Sequence, residues 1–204
     1  MLESIAGYVE SATSVELGAL VFGLAYVVLA ARSNVWCWPA GIVASALSLL
    51  VAAHSNYRLD VVKEFYYVVM GIYGWYAWTH VDRQRDDRPI TKFTQVQHLA
   101  LIGTCAVLSA GIGALFERIG SSLPYLDAST TIFAFAATWL VARRILENWL
   151  YWIVINLAGI YMYSISGAYF FCLLLAVYTV VAVAGYRTWL GQYRQRRRDA
   201  PEPP

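Results

Sequence analysis

Two stretches, Trp36-Cys37-Trp38-Pro39-Ala40-Gly41 and Gly71-Ile72-Tyr73-Gly74-Trp75-Tyr76-Ala77-Trp78, bracket the segment whose reading decides the fold. A helix needs about 20 mostly apolar residues to cross the hydrocarbon core, and the run from Trp36 to Trp78 is long and apolar enough to do so twice. It nevertheless carries Glu64 beside Tyr66 and Tyr67. A carboxylate and polarisable rings inside membrane-length helices point to a protected path for something polar, and they suit a cation.

Working outward, the whole chain has the same character. It holds 204 residues, 59% of them hydrophobic and 14% charged, against about 25% charged in soluble domains. The apolar residues form long runs rather than alternating strands, so the class is an all-α polytopic membrane protein and not a β-barrel. Seven spans fit the hydropathy, at about 15–31, 37–53, 60–79, 98–116, 127–143, 149–166 and 168–189. The first follows Glu3, Glu10 and Glu16 instead of a basic region and is not read as a cleaved signal. Cys37, Cys105 and Cys172 lie in apolar surroundings and are read as packing residues. No phosphate loop, zinc-protease motif or nucleophile elbow is present. Neither a cofactor nor a metal is therefore expected, and an enzyme is disfavoured. A net charge of +2 gives no reason to expect a nucleic-acid partner.

Charge orients the spans. Arg32, Arg83, Arg85, Arg88, Lys92, Arg143, Arg144, Arg187, Arg194, Arg196, Arg197 and Arg198 fall on one face, leaving Arg58, Lys63 and Arg118 for the other. The positive-inside rule puts the first face in the cytoplasm, with the N-terminal segment (1–14) outside and the C-terminus inside. The loop 80–97 is read as topogenic charge, and the tail 191–204 as disordered.

The halves echo each other. Asn34-x-x-x-Trp38 matches Asn148-x-x-x-Trp152 at an offset of 114, while Gly74-x-x-x-Trp78 matches Gly185-x-x-x-Trp189 and Leu29-x-x-Arg32 matches Leu140-x-x-Arg143 at 111. Two three-span units (15–79 and 127–190) joined by a linker helix (98–116) give a 3+1+3 plan with parallel repeats. Secondary transporters use parallel repeats and bind substrate near the midplane between them.

Two stripes at helical spacing carry the polar residues. One is Asp60, Glu64, Tyr67, Gly71, Trp75 and Trp78; the other is Asn148, Trp152, Asn156, Gly159, Tyr163 and Ser166. Glu64 either snorkels outward with Lys63 or faces a water-filled cavity. Asn156 is either interhelical glue, worth about 0.6 kcal/mol, or a hydrogen-bonding partner for a solute. Trp149 and Trp152 sit where an interfacial aromatic belt is expected. Asp127 is read as interfacial or an N-cap. Trp38, Pro39, Gly41, Gly71, Gly74 and Gly159 are read as packing positions.

Trp38-Pro39-x-Gly41, Ile72-Tyr73-Gly74-Trp75-Tyr76-Ala77-Trp78 and Glu147-Asn148-Trp149-Leu150-Tyr151-Trp152-Ile153-Val154-Ile155-Asn156 resemble motifs of the PnuC family of bacterial nicotinamide riboside transporters, over about residues 15–190. The resemblance implies a SWEET-like 3+1+3 fold in the inner membrane. It also implies facilitated diffusion of a small-molecule vitamin, and trapping by a cytoplasmic kinase; a homo-oligomer is compatible with it. The family's nicotinamide riboside members more often have Gln at Glu64 and Asn at Ala44, which leaves thiamine as an alternative to nicotinamide riboside. Riboflavin is carried by other relatives. The expected substrate contacts are Glu64 to a cation or ring N–H; Tyr67, Trp149, Trp152 and Tyr163 to a ring; and Asn148 and Asn156 to hydroxyls or a carboxamide.

Overall fold

The computed structural model describes residues 12–54, 58–80, 89–118, 120 and 123–199, without the side chains of 58 and 59. These form seven helices: α1 (Ser14–Ala31), α2 (Cys37–His54), α3 (Arg58–Thr79), α4 (Gln95–Arg118), α5 (Pro124–Ala142), α6 (Asn148–Ile165) and α7 (Tyr169–Asp199). The starts follow local chemistry. Thr13 and Glu16 make a reciprocal capping box on α1. Thr94 and Gln97 do the same at α4, through N–H to side-chain bonds of 2.8 and 3.3 Å. Pro39 and Pro124 occupy first turns, where a missing N–H costs nothing. Asp127 falls in the first turn of α5 rather than at its cap, which is Leu123.

Five helices are long and apolar enough to cross a membrane by length and composition. The two that fall short are α3 and α6, which carry Glu64 and Asn156. Helix packing explains how they are accommodated. α1 packs on α2 and α7, α3 on α2 and α5, and α6 on α5 and α7, so six helices close a ring while α4 lies outside against α5. The polar faces of α3 and α6 can then turn inward, away from lipid.

Lipid removes most of the hydrophobic drive between helices, so close contact over small residues does the work. A Cβ on Gly74 would collide with the Trp38 ring, one on Gly185 would reach Trp149 at 2.8 Å, and one on Gly71 would reach Ile42 at 2.5 Å.

The internal repeat is sharper than the sequence motifs suggest. α1 and α5 end in the same Schellman motif: Ser33 N–H bonds Ala30 O and Asn34 N–H bonds Leu29 O, while Arg144 N–H bonds Val141 O and Ile145 N–H bonds Leu140 O, all at 2.9 Å. Ser33 (φ 58°) and Arg144 (φ 55°) are the two non-glycine residues with positive φ among the described residues. They are 111 residues apart. Trp38 meets Trp78 edge-on at 5.5 Å and 89°, and Trp149 meets Trp189 at 5.5 Å and 89°. The counterpart of Trp38 is thus Trp149, not Trp152, and a single offset of 111 holds throughout. The asparagine match at 114 is coincidental: Asn34 Oδ1 accepts from Trp36 N–H at 2.9 Å, whereas buried Asn148 donates Nδ2–H to Ile145 O at 2.6 Å.

Three further expectations change. α7 runs to Asp199, so the expected disordered tail is helical up to that point; the segment from Gln192 to Arg198 has good helix formers and no breaker before Pro201, and its arginines favour a helix C-terminus. Residues 200–204 lie outside the described residues, as do the N-terminal 1–11 and the loop basics Arg83, Arg85 and Arg88. Trp149 is 2% exposed and belongs to the core rather than to an interfacial belt. Arg144, counted as a loop charge, is 7% exposed.

Candidate functional site

The ring encloses a cavity of about 300 Å³ to which all six of its helices contribute side chains and α4 contributes none. Its wall is built on the repeat: Trp38 with Trp149, Ser45 with Asn156, and Tyr67 with Tyr178 stand 111 residues apart and all line it. Glycines make the space. A Cβ on Gly41 would come within 2.9 Å of the Tyr26 ring, and one on Gly23 within 3.1 Å of the Tyr178 hydroxyl.

The symmetry breaks where the chemistry lies. Trp152 stands opposite in register to Gly41, and Glu64 to Leu175. Glu64 is half-buried and is the one charged residue on the wall. Ser45 shares the cavity wall with it. The neighbouring lysine is engaged elsewhere, with Lys63 Nζ 2.5 Å from Asp60 Oδ1. Asn156 is 3% exposed and its side chain lines the cavity. An amide on the cavity wall can both donate to and accept from a solute. The site therefore offers one carboxylate, one amide and several aromatic faces, with no described Lys, Arg or His on the wall.

Of the residues expected from sequence, Glu64, Tyr67, Trp149, Trp152 and Asn156 line this cavity. Two do not. Asn148 is fully buried against its own turn, and Tyr163 is exposed and stacks on Phe171 at 5.1 Å. Of the packing positions, Trp38, Gly41 and Gly71 also line the cavity, and Gly159 lies against Leu175. Tyr26, Thr138 and Tyr178 line it as well and went unnoticed in the sequence. Tyr178 was findable as the counterpart of Tyr67 at 111.

One end of the cavity is shut. Trp38 and Trp149 form its floor, backed by Trp78 and Trp189. The Trp78 indole donates to Ala142 O and the Trp189 indole to Ala30 O, each at 3.1 Å, so each repeat bonds the other. The segment before α4 seals the same end, with Thr91 N–H on Arg144 O at 3.1 Å and Leu146 N–H on Thr91 O at 2.9 Å.

A polar-and-aromatic cavity enclosed between two three-helix units of a membrane bundle defines a membrane transporter rather than an enzyme. The sequence profile of the nicotinamide mononucleotide transporter family matches residues 13–191, and the chain belongs to that family. Among its relatives, the riboflavin/roseoflavin transporter RibM of Streptomyces davaonensis is 26% identical over 184 residues, which covers 88% of this chain and 84% of RibM. The nicotinamide riboside transporter PnuC of Escherichia coli is 22% identical over 209 residues, covering 89% and 87%. A crystal structure of the vitamin B3 transporter PnuC shares the fold, with a TM-score of 0.73 at 21% identity over 94% of this chain and 87% of that one.

Proposed function

We propose that this transporter is a vitamin facilitator of the bacterial inner membrane whose first substrate is nicotinamide riboside, with thiamine next. The relatives are named for a riboside and a flavin, and the family for a mononucleotide. The choice among them rests on the cavity. The observation that carries it is a lone carboxylate, Glu64, among aromatic rings with no basic residue on the described wall. A phosphate would meet like charge there without a cationic partner, which disfavours the mononucleotide. A pyridinium or thiazolium ring gains both the carboxylate and the π faces of Tyr67, Trp149 and Trp152. Asn156 bonds hydroxyls or a carboxamide. A flavin ring is neutral and gains from Glu64 only a hydrogen bond through its ring N–H, without charge attraction; a volume of about 300 Å³ is also at the small end of ligand sites.

The mechanism is rocking of one three-helix unit against the other, without chemical coupling. Phosphorylation by a cytoplasmic kinase would retain the product, because the added phosphate makes return through a carboxylate-bearing cavity unfavourable. The basic end, which joins Ser33 to Gln192 and Lys92 to Tyr193, is assigned to the cytoplasm. A cytoplasm-dependent reporter fused after Arg198 then gives signal, and one dependent on the opposite compartment does not.

The substrate test is calorimetric titration of the purified protein with nicotinamide riboside, thiamine, riboflavin and nicotinamide mononucleotide. The expected order has a cationic vitamin tightest and the mononucleotide at least about tenfold weaker than the riboside. Tightest binding by riboflavin, or mononucleotide binding as tight as riboside binding, would reverse the assignment.

A further inference from the structure

Hydrogen bonds between the two repeats concentrate at the shut end. Besides the two indole bonds, Ser33 Oγ–H donates to Gln192 Oε1 at 2.8 Å, and Arg144 Nη2–H reaches Ser33 O at 3.5 Å. Among the described residues the other side-chain bond between repeats, Tyr66 Oη–H to Phe135 O at 2.8 Å, lies near the middle of the bundle. The Arg144 guanidinium also lies 4.3 Å from the centre of the Trp78 ring.

We propose that Arg144 is the latch that holds this end closed during transport, a positioning residue for alternating access. Three features single it out. First, its backbone is left-handed (φ 55°) at the C′ position of a Schellman motif. Glycine is the usual residue there, and a side chain carries a conformational cost. The same turn in the first repeat is made by Ser33, so the turn does not require a guanidinium and the arm serves something else. Second, the neighbouring Arg143 is exposed, 5.7 Å over Trp139, and suffices as an interfacial charge. Arg144 is instead turned inward to 7% exposure. Third, one of its acceptors is the carbonyl of its own repeat counterpart. One unit supplies the arm and the other the socket, so separating the units at this end breaks both contacts together.

A latch must also release. The Trp38 and Trp149 indole N–H groups are buried and find no partner among the described residues. Opening that end to water satisfies both donors, which offsets part of what the cross-repeat bonds contribute. The closed end is thereby one of two discrete arrangements rather than a permanent seal.

Cys37 supplies a native reporter, being fully buried beside Trp38 at this end. In protein carrying Cys105→Ala and Cys172→Ala, Cys37 reacts with a water-soluble maleimide only when the end opens. Arg144→Gln should speed that reaction about tenfold, equivalent to about 1.4 kcal/mol. Gln192→Ala, a surface change unlinked to folding of the core, should speed it roughly two- to threefold. Ser48→Cys, in a background without the native cysteines, reports the opposite end of α2, about 16 Å along the helix. It should react more slowly in Arg144→Gln, because the two ends open alternately. Unchanged Cys37 reactivity in Arg144→Gln overturns the latch, and so does faster reaction at both reporters, which is general loosening. If Arg144→Gln does not fold, Arg144→Lys, which keeps the charge but not the guanidinium fork, decides by the same criteria.

Discussion

Glu64 is the residue on which substrate choice turns. Its carboxylate is the single charge on the described cavity wall, so Glu64→Gln removes the charge while keeping the shape. A charge-assisted hydrogen bond is worth about 1.5–3 kcal/mol, or roughly 10- to 150-fold in affinity. If thiamine is the substrate, its affinity should fall within that range; if nicotinamide riboside is, the loss should be milder, because its pyridinium has no ring N–H to donate and keeps the aromatic faces. Identical calorimetric affinities in wild type and variant for both vitamins would remove Glu64 from the site. Glu64 and Asn156 were legible in the sequence because a polar group in an apolar helix is costly enough to demand a reason. Tyr26 was not, since a tyrosine in a membrane helix carries no such cost, and Tyr178 is legible only through its offset of 111 from Tyr67. Asn148 misled because it shares a four-residue spacing with Trp152 and Asn156. At about 100° per residue it lies roughly 80° around the helix from Asn156; its Nδ2–H donates to Ile145 O, and its buried Oδ1 finds no partner among the described residues. Tyr163 shares the azimuth of Asn156 but sits about 10 Å further along α6, where it packs on Phe171.

At the scale of elements, helix contacts are set by glycines facing tryptophans. Gly74→Ala and Gly185→Ala each force a methyl into an indole, Trp38 and Trp149 respectively. Overpacking of this kind costs about 1–3 kcal/mol, and both variants should lower the thermal midpoint in detergent. Gly103 and Gly111 on α4 have no heavy atom near an added Cβ. Gly103→Ala and Gly111→Ala should hold or raise the midpoint, by up to about 1 kcal/mol of helix propensity. The reverse pattern would show that the packing assigned to α2–α3 and α6–α7 is wrong. Span positions were readable because bilayer thickness fixes helix length. Offsets were less so. Asn34 and Asn148 look alike as letters, and only the shared Trp–Trp geometry shows that Trp38 corresponds to Trp149. The helical continuation to Asp199 was hidden because an arginine-rich run reads equally as a solvated tail or as a helix end.

At the scale of the whole molecule, seven helices divide into a closed ring of six and an outlying α4. That division follows from the repeat: two three-helix units run in the same direction only if one further crossing separates them. The ring leaves one cavity shared between the units, shut at the end where the basic segments meet. Nothing on its described wall provides a second carboxylate for proton exchange, and the sequence holds no phosphate loop for nucleotide. The central claim is therefore passive carriage of a cationic vitamin through this cavity. The direct measurement is uptake of labelled nicotinamide riboside into liposomes containing the purified protein, with and without imposed proton and sodium gradients. The account predicts that the internal concentration rises to match the external one and stops there under every gradient. Accumulation above the external concentration when either gradient is imposed, or no uptake beyond protein-free liposomes for nicotinamide riboside and thiamine alike, would contradict it.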